Sequence, residues 1–139
     1  MSLVENKTVE LFSAFMPRRK EIPHPVHTSV WDLKEYGKDY FVNYHPSKSF
    51  TKWALIEVSA VENIPEGMEV FVLQAGEYAV FFQKELNTEK NPFEYIFTKW
   101  IPGSDYILDD RPHFDVLAVT ADKKQAETEQ EFWIPIRKK

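Results

Sequence analysis

The chain has 139 residues, no cysteine and a formal net charge of −5, with a sequence pI near 5.4. That length fits one domain with one substantial core, and the missing cysteines exclude disulfides, thiol catalysis and thiolate metal sites. The acidic balance argues against direct nucleic-acid binding, which needs clustered Lys and Arg, and no apolar run is long enough to cross a membrane.

Residues 8–16 predict a first helix, with Leu11, Phe12, Phe15 and Met16 on one side and Asn6 or Thr8 available as its cap. Pro17 kinks or ends it, and Pro23-His24-Pro25 is a stiff extended connector. Residues 29–36 alternate as a strand, with Val30, Asp32, Lys34 and Tyr36 on one row and Trp31, Leu33 and Glu35 on the other. Residues 37–49 form a polar loop carrying Tyr40, Phe41 and Tyr44, long enough to serve as a lid or pocket wall. A second strand is expected over residues 50–59, Ala54, Ile56 and Val58 opposing Trp53, Leu55 and Glu57. Beyond a turn at 64–67, residues 68–84 predict one long strand or two, with a bulge at Ala75-Gly76.

Asn91-Pro92 opens a second helix whose stripe is Phe93, Ile96, Phe97 and Trp100. Pro102 and Gly103-Ser104 are expected to stop it, and residues 105–112 to turn. Residues 113–119 then alternate as a strand, Phe114, Val116 and Ala118 against His113, Asp115 and Leu117. Following a charged loop at 121–128, residues 130–136 close the fold with Phe132, Ile134 and Ile136 opposite Glu131, Trp133 and Pro135. Pro135 cannot donate to a ladder, which suits an edge strand or a bulge. The order is helix, strand, strand, then strand, helix, strand, strand. A strand ahead of the first helix would make this two β-α-β-β modules, an α+β fold with an antiparallel sheet.

With both helices on one sheet face, the clean apolar rows face them: Ala54/Ile56/Val58, Phe114/Val116/Ala118 and Phe132/Ile134/Ile136. The opposite face then gathers Trp53, Glu57, His113, Asp115, Glu131 and Trp133, with one row of the first strand. Aromatic faces attract organic cations by roughly 0.5–2 kcal/mol each, and a partly desolvated carboxylate fixes the cation's position. The plainer alternative is a half-solvated sheet face whose Glu and Asp meet water. Glu57 and Asp115 could also form an acid/base pair. The four histidines show no metal-ligand spacing, no serine lies in a G-x-S-x-G elbow, and no phosphate-cradling loop is present.

YIFTKWIPGSDYILDDRPHFDVL followed by EFWIPIRKK resembles the C-terminal half of the GyrI-like effector-binding domain, closest to the branch of integron-cassette effector-binding proteins and ligand domains of AraC-type activators. NKTVELFSAFMPRRKEI and FTKWALIEVS resemble that branch's first helix and a central strand, and YAVFFQK the strand before the second helix. The resemblance implies duplicated β-α-β-β modules, two helices on one face and a ligand cleft on the other, binding amphipathic and often cationic aromatic molecules. Asp115 stands where the family carries a glutamate, one methylene longer. Trp53 and Glu57 match a K-W-A-x-x-E-V motif and Trp133 an IWIPI-like end. The ligand-binding set expected on this basis is Glu57, Asp115, Trp53, Trp100, Trp133, Tyr36 and Tyr78, with no cofactor and no metal.

The implied protein is a cytoplasmic sensor or sequestering domain linked to transcription regulation. Its partner is an amphipathic or cationic small molecule, with neither nucleic acid nor membrane bound directly. Some relatives hydrolyse reactive aromatic compounds, so a hydrolase using a cleft carboxylate is the alternative. The family's opening strand would precede Met1, so residues 1–4 should pair as a short strand, or a second copy should cover the exposed sheet edge as a homodimer.

Overall fold

Helix α1 (Thr8–Phe15) forms where the apolar spacing puts it, and the Asn6 carboxamide accepts the Thr8 N–H at 3.0 Å. Pro17 lies in the first turn of the 3-10 segment that follows, Met16–Glu21. The computed structural model describes residues 1–82, 92–119 and 130–139. The Asn91 cap, the end of the 68–84 strand and the 121–128 loop lie outside the described residues. Among the described residues there are six strands, β1 (Val30–Glu35), β2 (Thr51–Leu55), β3 (Tyr78–Phe82), β4 (Tyr106–Leu108), β5 (His113–Leu117) and β6 (Glu131–Lys138). They pair antiparallel in the order β2-β1-β5-β6-β3, with β4 against the far end of β6. Two helices against this sheet give an α+β fold.

Helix α2 starts at Pro92–Tyr95, continues as a π-helical segment Ile96–Trp100 and ends in a last α turn, Ile101–Gly103. Pro102 therefore does not stop it, contrary to the sequence expectation. Ile101 keeps helical angles (φ −61, ψ −50) and its N–H reaches back five residues to the Ile96 carbonyl. Regular α geometry would drive the Pro102 ring against the carbonyl four residues earlier, and the wider π turn relieves that clash.

Three strand expectations change. Residues 68–77 form no strand, so Gly76 marks no bulge. The 105–112 turn contains β4, which the alternation of so short a piece could not show. Strand β2 ends at Leu55, and Val58 meets Pro25 in a single bridge. Pro135 is on no edge, because β6 pairs on both sides. It sits opposite Tyr78, in the gap where the β5 ladder has ended at Trp133 and the β4 ladder has yet to begin at Ile136. Its missing N–H costs nothing there.

Cross-strand partners share a face, so the register assigns every row. Ile96 of α2 packs on Phe132 and Ile134, with Phe81, Phe93 and Phe97 around them, and Thr8 of α1 receives the Lys52 ammonium at 2.9 Å. Both helices thus cover the face that carries Lys52, Ala54, Phe132 and Ile134. On that same face the register places Asp32, Lys34, His113 and Asp115. The β5 rows are therefore inverted relative to the sequence expectation: Phe114 and Val116 join Trp53 and Trp133 on the opposite face, and Asp115 turns toward the helices. Strand β5 is buried from His113 through Asp115, on both sides, so alternation alone could not say which row faces the helices.

Met1 and Phe50 exchange backbone hydrogen bonds of 2.9 and 2.8 Å, and the N–H groups of Leu3 and Val4 both reach the Pro46 carbonyl. The start of β2 thus has a partner from within the chain. Ile96 is 0% exposed at the centre of the core. Ile96→Val removes one methylene there and is expected to cost about 1 kcal/mol, read as a lower urea midpoint with an unchanged m-value. A midpoint equal to wild type would show that α2 does not pack as described.

Candidate functional site

The helix face of β2, β1 and β5 carries four charges among cross-strand neighbours. Asp32 on β1 is paired with Asp115 on β5, and Lys34 with both His113 on β5 and Lys52 on β2. Asp115 is 8% exposed, and the Lys34 ammonium lies 3.1 Å from its Oδ1. Lys34 also donates to the Asp32 carbonyl at 3.1 Å and stands 3.8 Å from Asp32 Oδ1. Lys52 donates to Asp32 Oδ2 at 3.3 Å and to Thr8 Oγ1 on α1 at 2.9 Å. Two carboxylates and two ammoniums form one buried, balanced cluster. Burial pushes the Asp115 carboxyl above its ordinary range, opposed chiefly by Lys34.

Aromatic rings close over one end of this cluster. His113 meets Tyr36 edge-on at 4.9 Å, Phe41 at 5.8 Å and Phe97 of α2 at 6.2 Å. Tyr36, Tyr40, Phe41 and Phe50 pack on one another. Burial, with Lys34 adding to it, lowers the His113 pKa to about 3, so the ring is neutral at physiological pH. The Tyr36 hydroxyl is pushed up, first by burial and then by Tyr40, Asp115 and Asp32. The 37–49 loop that supplies Tyr40 and Phe41 is pinned by Lys48, whose ammonium donates to the carbonyls of Asp39 at 2.8 Å, Tyr40 at 3.3 Å and Val42. The rings of this loop pack directly on Tyr36 and His113.

On its β2 side the cluster meets a cleft of about 440 Å³ between α1 and β2, lined by Lys7, Glu10, Leu11, Phe50, Thr51 and Lys52, and Phe50 also packs on Tyr36 and Tyr40 of the aromatic group. That volume lies within the ordinary range of small-molecule sites, roughly 300–1,000 Å³.

The expected set of ligand residues is divided by the sheet. Asp115 and Tyr36 lie together on the helix face. Trp53, Trp133 and Tyr78 lie on the other, where Trp31, Phe114 and Trp133 stack at 4.5 and 5.1 Å. The indoles of Trp53 and Trp133 donate to Glu35 at 2.6 Å and Glu131 at 2.9 Å, and the Tyr78 hydroxyl to the Pro112 carbonyl at 3.0 Å. Trp100 packs edge-on against Phe81 at 5.1 Å, on β3, away from Asp115. Glu57 is exposed beyond the end of β2. Asp32, Lys34 and Lys52 were missing from the expected set. Their signal was an Asp-x-Lys pair on one strand row, charge of both signs where a solvated row needs no such match.

The protein is thus an antiparallel α+β domain whose sheet carries a buried charged cluster and an aromatic loop on its helix face. The family model described as integron-associated effector binding protein (Cass2) matches residues 7–136, and the chain belongs to that family. It is thus an effector-binding protein, and effector binding implies a small-molecule ligand. A search of curated proteins found no match. Among the described residues, no helix is long and apolar enough to cross a membrane.

Proposed function

We propose that this domain binds an amphipathic aromatic cation on the helix face and serves as a sensor or sequestering module linked to transcription regulation. The observation that carries this reading is a buried carboxylate, Asp115, beside a wall of aromatic rings that includes Tyr36. The rings offer apolar area and cation–π attraction, and the Asp32 and Asp115 carboxylates, neutralised in the free protein by Lys52 and Lys34, supply the negative charge that a bound cation requires. Trp53, Trp133 and Tyr78 then pack the other side of the sheet, and Glu57 steers from outside. The same reading includes a homodimer formed through an exposed sheet edge.

The test is fluorescence titration at pH 8 with N-methylacridinium, a cation, and acridine, its neutral counterpart. Asp115→Asn should weaken N-methylacridinium by roughly 10- to 100-fold and acridine by much less, with folding checked by thermal melting. Equal binding of the cation to wild type and to a folded Asp115→Asn would sink the reading. Product analysis of the same mixtures would reveal turnover, which the hydrolase alternative requires.

A further inference from the structure

Resting on the helix-face reading above, one feature of the cluster goes beyond it. Asp32 is 9% exposed, and its Oδ1 is a buried oxygen that accepts no hydrogen bond; the Lys34 ammonium stands off at 3.8 Å. A buried carboxylate oxygen left short of donors is uncommon and costly. Its other oxygen is held by Lys52 at 3.3 Å, longer than the ~2.7–2.9 Å of a strong charge-assisted bond. Lys52 comes from β2, the outermost strand on its side of the sheet. Its side chain, 12% exposed, also lines the 440 Å³ cleft. Lys52 thus borders both open space and the buried carboxylates, and its contact with the carboxylate is long, its shorter bond being the one to the neutral Thr8 hydroxyl at 2.9 Å.

We propose that Lys52 is a tethered counter-ion occupying the mouth of the ligand site, and that Asp32 is the carboxylate an incoming organic cation takes over from it. The exchange is one positive charge for another, so the cluster stays balanced throughout. Lys34 lies deeper, is shared between Asp32 and Asp115, and remains in place. Displaced Lys52 swings on its flexible stem into the cleft, where Glu10 provides an acidic neighbour. A tethered ammonium competes at a high effective concentration. It thereby sets a threshold that only cations with enough apolar body to gain from the aromatic wall can pass.

The experiment compares wild type, Lys52→Met, and Lys52→Met combined with Asp32→Asn, titrated with N-methylacridinium and acridine at pH 8. Lys52→Met keeps the aliphatic stem, removes the competitor, and should tighten N-methylacridinium at least tenfold while moving acridine less than twofold. The second substitution should abolish the gain. Unchanged or weaker cation binding by Lys52→Met overturns the proposal. If that variant does not fold, the wild-type protein still decides. Acylation of Lys52 by an acetyl ester, mapped by mass spectrometry, should be slow in the free protein and accelerate severalfold on adding N-methylacridinium. An unchanged rate with the cation bound overturns the proposal. Failure of both probes to bind wild type and Lys52→Met alike overturns the helix-face reading itself. Binding that is sensitive to Asp115 but not to Lys52 or Asp32 overturns this inference alone.

Discussion

Lowering the pH from 6.5 to 4.5 is expected to cost the folded protein about 2–3 kcal/mol through His113 alone. The ring is 5% exposed, enclosed by Tyr36, Phe41 and Phe97, with the Lys34 ammonium as its cross-strand neighbour. Burial first and Lys34 second hold its folded pKa at about 3, against 6.5 in an unfolded chain. The unfolded chain therefore takes up the proton first. The stability contributed by the neutral ring is complete above pH 6.5 and is lost as the pH falls toward 3. Asp115 acts in the opposite sense. Its pKa is raised by burial, so the stability linked to its proton is present below the ordinary carboxylate range and lost as pH rises through its folded value. It blunts the slope at the acid end.

Asp109 and Glu21 are held low by Arg111 and Arg18 respectively, so their losses set in only as the pH falls through the ordinary carboxylate range, at the acid edge of the window. Urea midpoints of wild type and His113→Phe at pH 7.5, 6.5, 5.5 and 4.5 separate these contributions. The variant keeps an aromatic ring in place and should show a nearly flat profile where wild type falls. Parallel profiles would mean that His113 is not the group responsible.

The same burial explains how much was legible beforehand. Apolar spacing located α1, the stripe of α2 and the core strands, because each needs one continuous apolar row wherever the others lie. It could not orient β5. Phe114 and His113–Asp115 are buried on opposite faces, and only the partners Lys34 and Lys52, on two other strands, make the acidic row tolerable on the helix side. Pro102 and Pro135 were read by local rules that a longer-range arrangement overrode, a π turn in one case and a gap between ladders in the other. The motif resemblance singles out Asp115. It does not single out the neighbours Asp32 and Lys52, since their meaning lies in pairing across β1 and β2.

Gly76 gives the other large expected effect. It belongs to no strand, and its backbone needs no left-handed angle, so its role must come from what it touches. A Cβ added there would collide with the Arg111 guanidinium, Nε at 2.9 Å being the most distant of the three nearest atoms. The far end of an arginine ordinarily moves aside at little cost. This one is held on four sides: Asp109 Oδ2 at 2.6 Å, the Glu77 carbonyl at 2.5 Å, the Ile136 carbonyl at 3.1 Å and the Tyr78 ring centroid at 4.7 Å. Arg111 thus ties the segment before β3, the turn before β5 and the end of β6 to one another. Gly76→Ala should eject it, breaking charged hydrogen bonds worth roughly 1.5–3 kcal/mol each and leaving Asp109 without its closest partner. Partial recovery of those bonds through water brings the expected loss to about 2–4 kcal/mol. The mechanism is tested by a double-mutant cycle with Arg111→Met, which removes the planar, hydrogen-bonded head and leaves a flexible apolar chain. In that background Gly76→Ala should cost less than 1 kcal/mol by urea denaturation. An equal loss in both backgrounds would place the cost in the 76 backbone instead of the arginine.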